Sequence, residues 1–243
     1  MIEHIGDKST HIVVVPDIVP LDICNDLVES CKRDWNKLFY VGPTLGGVDL
    51  SIKNTMDFDF SGQQAKEKGA DYELYQYFEN KIVESLWLAV SLYVEEYKEL
   101  RLAPTLSDTG FRLQFYGRGA GFYRSHHDGA PWDPEPTSLR CLGAVVYLNT
   151  VERGGETAFP MHGEKIKARA GSISLFPASW THPHNSCVPI SSDKWIVSSF
   201  IITQKRQPSL YDKREQSQSV PDLPTTLIDT NPENQSNDDG ADK

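Results

Sequence analysis

The chain has 243 residues, a length that one β-rich domain with additional termini can fill. Its apolar fraction of 39% is typical of a soluble globular protein. The formal net charge of −10 argues against nucleic acid or an anionic membrane as a partner, because contacts with phosphate groups require clustered lysines and arginines. We therefore predict neither partner.

Targeting segments and disulfides are not expected either. The N-terminal sequence MIEHIGDKST lacks an apolar segment of signal-peptide length, and no segment of the chain is apolar over the length of a bilayer. The cysteines Cys24, Cys31, Cys141 and Cys187 show neither a CxxC pair nor the spacing of a zinc site. These features predict reduced thiols in a cytoplasmic protein.

The first part of the chain predicts a strand followed by two helices. Residues 11–19, HIVVVPDIV, are rich in β-branched side chains and predict a strand. After Pro20, apolar side chains recur every four residues and predict a helix. Residues 71–100 predict a longer helix, whose apolar stripe we expect to pack against a sheet. The intervening residues 39–70 are rich in Gly, Ser, Asp and Asn, and we interpret them as an irregular excursion with a few short strands.

From Gly110 onward, short strand-like segments alternate with turns that contain Gly, Pro and Asp. The predicted strands lie within residues 110–117, 120–127, 141–150, 156–163, 165–177 and 194–203. Helices followed by many short antiparallel strands predict an α+β fold, a sandwich or jelly roll with the helices packed on one side. We expect one domain over residues 1–206, with an N-terminal strand and the helices in 1–109 and the β-rich core in 110–206, and an acidic, flexible tail over 207–243.

The sequence YRSHHDG places two histidines and a carboxylate at the end of a predicted strand. Because side chains alternate along a strand, His126 and Asp128 share one face and His127 points to the other. Downstream, His182 and His184 both offer a third ligand. Two histidines and a carboxylate on one face of a metal are typical of non-haem Fe(II) oxygenases, although the same residues also suit tetrahedral zinc.

Four motifs in this order resemble the 2-oxoglutarate- and Fe(II)-dependent dioxygenases, in particular their prolyl 4-hydroxylase-like branch. They are FYGRGAGFYRSHHD, the YLN at 147–149, GGETAFP at 154–160 and HNSCVPISSDKW at 184–195. The resemblance covers about residues 110–203 and implies a double-stranded β-helix, the jelly-roll core of that family. It also implies Fe(II), 2-oxoglutarate and O2 as cofactors or co-substrates, with ascorbate as an additional candidate.

The resemblance assigns the metal site to His126, Asp128 and His184. His184 is preferred to His182 because ten residues separate it from Lys194, the usual interval in the family. Lys194 would pair with the distal carboxylate of 2-oxoglutarate. The remaining co-substrate contacts implied by the family pattern are Tyr147, Tyr116 and Thr157.

Substrate contacts are expected from three further residues. Phe200 lies on the Lys194 face of its strand and should form one wall of the pocket. Arg124 shares a strand face with His126 and is expected to reach the substrate. Trp132 lies in a loop that covers the substrate in family members. The two tyrosines named above also have a purely structural interpretation, as core aromatics whose hydroxyl groups find a partner.

The reaction implied by the resemblance is hydroxylation of an unactivated C–H bond, coupled to decarboxylation of 2-oxoglutarate to succinate and CO2. The expected substrate is a prolyl or similar residue of a peptide or protein. The same chemistry on a free amino acid or another small molecule is the alternative. A non-catalytic jelly-roll binding protein is a third interpretation, which the complete set of ligands argues against. Asp128 favours hydroxylation over halogenation, because halogenating relatives replace this carboxylate with a small residue. The sequence leaves the oligomeric state open.

Overall fold

The computed structural model describes residues 2–103, 105–129 and 138–204. The predicted loop residue Trp132 and the tail over 207–243 lie outside the described residues, so the expectations about them stay predictions. Within the described ranges, no helix combines the length and the apolar character that crossing a membrane requires.

The described residues form four α-helices and fourteen strands. The helices are α1 (Leu21–Arg33), α2 (Trp35–Leu38), α3 (Gly62–Glu67) and α4 (Tyr72–Glu96), and short 3₁₀ helices cover Lys8–Thr10 and Lys98–Leu102. The strands before α4 are β1 (Glu3–His4), β2 (Val13–Val15), β3 (Tyr40–Val41), β4 (Lys53–Asn54) and β5 (Met56–Phe60). The strands after α4 are β6 (Leu106–Asp108), β7 (Phe111–Tyr116), β8 (Phe122–His126), β9 (Ser138–Tyr147), β10 (Thr157–Phe159), β11 (Glu164–Ile166), β12 (Ile173–Pro177), β13 (His184–Ser186) and β14 (Lys194–Gln204).

The strands form two antiparallel sheets. The larger sheet has nine strands in the order β1-β2-β12-β9-β14-β7-β5-β3, with β6 paired to β14. The smaller sheet has five strands in the order β11-β10-β13-β8-β4. Tyr116 and Ile196 of the larger sheet share one apolar cluster with Phe159 of the smaller sheet, so the two sheets pack face to face. The predicted α+β architecture with a core of antiparallel strands is confirmed.

The helices cover the outer face of the larger sheet because its strand residues alternate between two apolar clusters. In β14, Val197 packs with the helices, whereas its neighbour Ile196 packs between the sheets. The apolar stripe of α4 completes the helix side, and its residues Ile82 and Leu86 are fully buried. The long helix predicted from this stripe is confirmed, although it ends at Glu96 and the chain continues as a 3₁₀ helix. The inner faces of the two sheets, which the helices do not cover, line a pocket.

Two predictions about the connecting segments need correction. Residues 39–70 contain short strands, as expected, but they are more regular than predicted, because β5 pairs with β7 over its whole length in the larger sheet. In its sequence MDFDF, Phe58 and Phe60 are buried in the helix-side core, and the charges of the intervening aspartates hide this strand pattern. Residues 165–177 contain parts of two strands, β11 and β12, which belong to different sheets. The β-rich core, which we expected over 110–206, therefore also includes strands from the region 1–109.

We expect the buried face of α4 to contribute strongly to stability. Replacing the fully buried Ile82 by alanine should lower the free energy of unfolding by about 2–5 kcal/mol, because the lost side-chain atoms leave a cavity. The matched control is Leu88→Ala on the same helix, at a side chain that is 56% exposed, which should change this free energy by about 0.5 kcal/mol or less. Urea unfolding followed by circular dichroism measures both values. Equal losses in the two variants would contradict this packing of α4.

Candidate metal centre and its pocket

Two histidines and an aspartate from two paired strands meet at one point. His126 ends β8, Asp128 follows in a bend, and His184 begins β13. The two strands pair antiparallel, with His184 opposite His126. The Nε2 atom of His126 lies 3.6 Å from Asp128 Oδ1, and the Nε2 atom of His184 lies 3.7 Å from Asp128 Oδ2. The three potential ligand atoms lie within 4.8 Å of one another, close enough to bind a common metal ion.

Hydrogen bonds to the backbone fix the tautomer of each histidine. The Nδ1 atom of His126 donates to the carbonyl oxygen of Arg124 at 2.8 Å, and that of His184 donates to the carbonyl oxygen of His182 at 3.1 Å. A proton on Nδ1 leaves the lone pair on Nε2, the atom that faces Asp128. Burial lowers the pKa of both imidazoles to about 4, so they are neutral near pH 7 and able to bind a metal. Burial also raises the pKa of Asp128, whose carboxylate a bound cation would stabilise.

Aromatic rings hold the two imidazoles in place. Tyr123 stacks on His126, with ring centroids 3.7 Å apart and an angle of 22° between the planes. Phe176 meets His184 edge-on at 4.7 Å, and Phe159 lies 5.6 Å from the same ring. These contacts restrict rotation of both rings and so keep the Nε2 atoms directed at the carboxylate.

The alternative ligand, His182, is engaged elsewhere. Its Nε2 atom donates to the carbonyl oxygen of Thr10 at 2.7 Å, and its Nδ1 atom lies 2.9 Å from the hydroxyl oxygen of Thr181. Its ring packs against His162, with ring centroids 4.5 Å apart. The structure therefore brings His184, and not His182, to the metal centre.

A buried ammonium group lies in the same pocket as the metal centre. Lys194 is fully buried, and its Nζ atom donates to Ser186 Oγ at 2.8 Å. The rings of Tyr116 and Tyr147 have their centroids 5.0 Å and 5.8 Å from Nζ. In the part of the chain that the structure describes, Lys194 forms no salt bridge, and burial lowers its pKa to about 7. Because a buried charge without a counter-ion is unfavourable, this end of the pocket favours an anionic ligand.

The pocket between the sheets has a volume of about 620 Å³ and contains both the metal centre and Lys194. Thr157 and Tyr116 line it, as the resemblance implies. Tyr147 is not among the lining residues, and its buried hydroxyl group shares a 2.8 Å hydrogen bond with Thr157 Oγ1. Burial raises the pKa of Tyr116, whose hydroxyl group also bonds to Ser186. Several hydroxyl groups thus accompany the ammonium group at this end of the pocket.

Residues 111–202 match the family model described as the 2OG-Fe(II) oxygenase superfamily. This span contains all three clustered ligands and Lys194. This span is less than half of the chain, and over it the chain is similar to the 2OG-Fe(II) oxygenase superfamily. The similarity implies Fe(II) and 2-oxoglutarate, and the residues fit both groups. Two neutral imidazoles and a carboxylate suit the metal, and a buried ammonium suits the dicarboxylate.

Comparison with a curated relative confirms the resemblance to the prolyl 4-hydroxylase-like branch of the superfamily. Prolyl 4-hydroxylase 13 of Arabidopsis thaliana is 32% identical over 107 residues. The alignment covers 34% of this chain and 39% of that protein, so it spans well under half of the relative's length.

Solved structures of prolyl hydroxylases share the fold of this chain. The viral collagen prolyl hydroxylase of Paramecium Bursaria Chlorella virus-1, in its 2OG complex, superposes with a TM-score of 0.56 at 17% identity, over 81% of this chain and 98% of that one. The prolyl hydroxylase from Trichoplax adhaerens, in complex with a hypoxia inducible factor peptide fragment, gives 0.57 at 15% identity, over 88% and 89%. The jelly-roll fold implied by the sequence motifs is confirmed.

The three residues expected from the sequence to contact a substrate differ in their positions. Phe200 lines the pocket, and the guanidinium group of Arg140 lies over its ring, 3.8 Å from the centroid. Arg124 is exposed and does not line the pocket, contrary to the expectation from strand alternation. Its Nε atom donates to the carbonyl oxygen of Ser51, because the adjacent loop offers the long side chain an acceptor outside the pocket. Trp132 lies outside the described residues.

Two residues of β9 shape the candidate metal centre and its pocket, and the sequence pattern does not predict either contribution. Arg140 lines the pocket and donates from Nη1 to the carbonyl oxygen of Asp128 at 3.1 Å. The side chain of Arg140 points into the pocket because β9 has a bulge at Cys141. The register with β14 shifts there, and the alternation of side chains between the two faces reverses. Gly143 leaves space for the metal ligand, since a Cβ atom there would lie 2.8 Å from Asp128 Oδ2. Strand periodicity predicts neither feature.

The two histidines of the THPH sequence should differ in their importance for metal binding. His184→Ala removes one of the three ligands and should weaken Co(II) binding by more than about 100-fold, beyond the usual effect of losing a supporting hydrogen bond. His182→Ala is the matched control, because it keeps the ligand set and the backbone carbonyl that orients His184. Calorimetric titration of the metal-free proteins with Co(II) measures both affinities. A larger loss of Co(II) affinity in His182→Ala than in His184→Ala would identify His182 as the metal ligand instead.

Proposed function

We propose that this chain is a 2-oxoglutarate- and Fe(II)-dependent dioxygenase that hydroxylates an unactivated C–H bond in a prolyl or similar residue of a peptide or protein. O2 and 2-oxoglutarate are consumed, and succinate and CO2 are released with the hydroxylated product. One observation carries the proposal. The fully buried Lys194, which forms no salt bridge within the described residues, lies in the same pocket as His126, Asp128 and His184.

Lys194 separates this proposal from a hydrolytic zinc centre. Two histidines and a carboxylate suit zinc as well as iron, so the metal ligands alone do not decide between them. A zinc-activated water needs no organic ligand, whereas a 2-oxo diacid needs an anchor for its second carboxylate. The buried ammonium group supports the presence of such an anchor. When bound, Fe(II) together with 2-oxoglutarate would supply the oxidation of the substrate C–H bond.

The chain's own residues bind and orient the reactants. His126, Asp128 and His184 would hold the metal from one side and leave its other positions open to the pocket. Lys194 would donate to the distal carboxylate of 2-oxoglutarate, next to the hydroxyl group of Thr157. Their burial excludes bulk water, which strengthens the ion pair and limits side reactions.

The mouth of the pocket supports a peptide or protein substrate. Leu45 lines the pocket and is 75% exposed, and Val48 and Leu50 of the same loop are also exposed. A group of exposed apolar side chains beside a pocket is typical of a contact surface. Arg140, stacked on Phe200, adds donors for the carbonyl groups of a peptide backbone. The peptide fragment bound by the Trichoplax adhaerens neighbour supports the same choice.

The remaining parts of the proposal rest on composition and on the resemblance. Ascorbate is proposed as an additional cofactor on the resemblance alone. The four free cysteines are compatible with the proposed cytoplasmic location. The net charge of −10 continues to argue against nucleic acid or an anionic membrane as a partner.

Anaerobic addition of Fe(II) and then 2-oxoglutarate to the metal-free protein tests the proposed chemistry. We expect a visible metal-to-ligand charge-transfer band in the wild type. Lys194→Ala should need more than about 100-fold more 2-oxoglutarate to reach half of the signal, because the distal carboxylate loses its buried counter-ion. A wild-type protein that retains zinc and shows no band would overturn the oxygenase function.

Oxygen-dependent succinate formation then distinguishes the substrate classes. We expect prolyl peptides to stimulate succinate formation and free proline to leave it at its basal rate, because the exposed apolar loop can contact only a substrate that extends beyond the pocket. Mass spectrometry of the peptide should show the gain of one oxygen atom. Stimulation by free amino acids alone would assign the enzyme to a small-molecule substrate.

The binding of 2-oxoglutarate should depend on pH through Lys194. Its pKa is lowered to about 7 by burial, so the free protein carries the binding charge below this pH and loses it above. The affinity should therefore fall between pH 7 and pH 9, with a slope that approaches tenfold per pH unit until the higher pKa of the bound lysine is reached. Calorimetry with the Co(II) protein measures the slope. Lys194→Met serves as the control, and a wild-type slope equal to that of this variant would reject the role of the lysine.

A further inference from the structure

A second buried lysine lies in the wall of the pocket, paired with an aspartate. Lys53 is 2% exposed and Asp57 is fully buried, and Lys53 Nζ lies 2.5 Å from Asp57 Oδ2. The carboxylate also accepts a 2.7 Å hydrogen bond from Thr55 Oγ1 and lies 3.5 Å from Gln114 Nε2. Removing two charges from water costs about as much as their attraction returns, so net stabilisation does not account for such a pair. Its contacts indicate another role.

The ion pair connects the two sheets at the edge of the pocket. Lys53 belongs to β4 and lies opposite Tyr123 of β8 in the smaller sheet. Asp57 belongs to β5 and lies opposite Gln114 of β7 in the larger sheet. The smaller sheet carries the metal ligands, and the larger sheet carries Lys194. Only Thr55 separates β4 from β5 in the chain, so the ion pair reinforces the point at which the backbone passes from one sheet to the other.

Lys53 also contacts Tyr123, which stacks on a metal ligand, and Pro43 at the pocket mouth. Its Nζ atom lies 5.3 Å from the centroid of the Tyr123 ring, within the range of a cation–π contact. The Tyr123 ring stacks on His126, with centroids 3.7 Å apart. The same Nζ atom lies 3.4 Å from the carbonyl oxygen of Pro43, a residue that lines the pocket at the start of the exposed apolar loop.

We propose that Lys53, held by Asp57, is a positioning residue of the active site, which fixes Tyr123 against His126 and anchors Pro43 at the pocket mouth. The inference rests on the proposed function for its chemical meaning, but its geometry concerns only the metal centre and the pocket mouth. Without the ion pair, the Tyr123 ring would lose its cation, and β4 would lose the side-chain contact that fixes it against the adjoining strand β5. His126 would then be less well oriented toward the metal, although every ligand would still be present.

The test uses variants that remove or keep the cation. Lys53→Met together with Asp57→Asn removes both charges with side chains of similar length, so that no unpaired charge stays buried. Lys53→Arg keeps the cation, and the adjoining pocket offers space for the longer side chain. The matched control is Lys81→Met together with Glu84→Gln, which removes an exposed ion pair of 2.8 Å on α4.

Binding of Co(II) and NMR of the Co(II) proteins measure the effect. The double variant at residues 53 and 57 should bind Co(II) about 10–100-fold more weakly, the usual effect of losing support behind a ligand. The paramagnetically shifted Nδ1 proton of His126 should move, whereas that of His184 should stay in place. Lys53→Arg and the surface control should both bind Co(II) within about threefold of the wild type, and thermal unfolding shows whether each variant is folded.

A folded double variant with wild-type Co(II) affinity and an unchanged His126 proton signal would overturn the inference. An arginine variant as weak as the double variant would also reject the role of the cation. Failure of the proposed function gives a different result, because the wild type would then bind Co(II) but form no charge-transfer band with Fe(II) and 2-oxoglutarate.

Discussion

The antiparallel pairing of β8 with β13 is the contact on which the whole site depends. It places His184 opposite His126, and a short bend after β8 is then enough for Asp128 to meet both imidazoles. Each histidine donates from Nδ1 to the carbonyl oxygen two residues before it. The same backbone arrangement therefore sets the position of both rings and leaves the lone pair of both Nε2 atoms free for a metal.

The pocket contains two buried lysines that differ in whether the protein supplies a counter-ion. Lys53 has an internal counter-ion in Asp57, and this pair connects the two sheets. Lys194 instead has the hydroxyl group of Ser186 and two aromatic rings, which orient an ammonium group but do not neutralise it. In the proposed function the co-substrate completes the second pair. Binding and neutralisation of a buried charge would then be the same event.

Regular apolar patterns made much of the fold predictable, and local irregularities limited the rest. The stripe of α4 repeats over many turns, so its buried face, including Ile82, could be predicted without tertiary information. The strand Met56–Phe60 could not, because its short apolar pattern alternates with aspartates whose partners come from other elements. A bulge in β9 directs the side chain of Arg140 into the pocket, and a hydrogen bond to the carbonyl of Ser51 holds the side chain of Arg124 outside it. Neither feature changes the apolar periodicity of the sequence.

The sequence by itself determined the chemistry that was available. It supplied an HxD pair, a distal histidine ten residues before a lysine, and motifs in the order of an oxygenase family. The interval to Lys194 favoured His184 over His182, and only the tertiary structure showed why His182 is excluded, because it is bound to the carbonyl of Thr10, which lies 172 residues away in the sequence. The tertiary structure also decided that Lys194 is buried and forms no salt bridge among the described residues. Burial is a property of two assembled sheets, and no local pattern in one strand contains it.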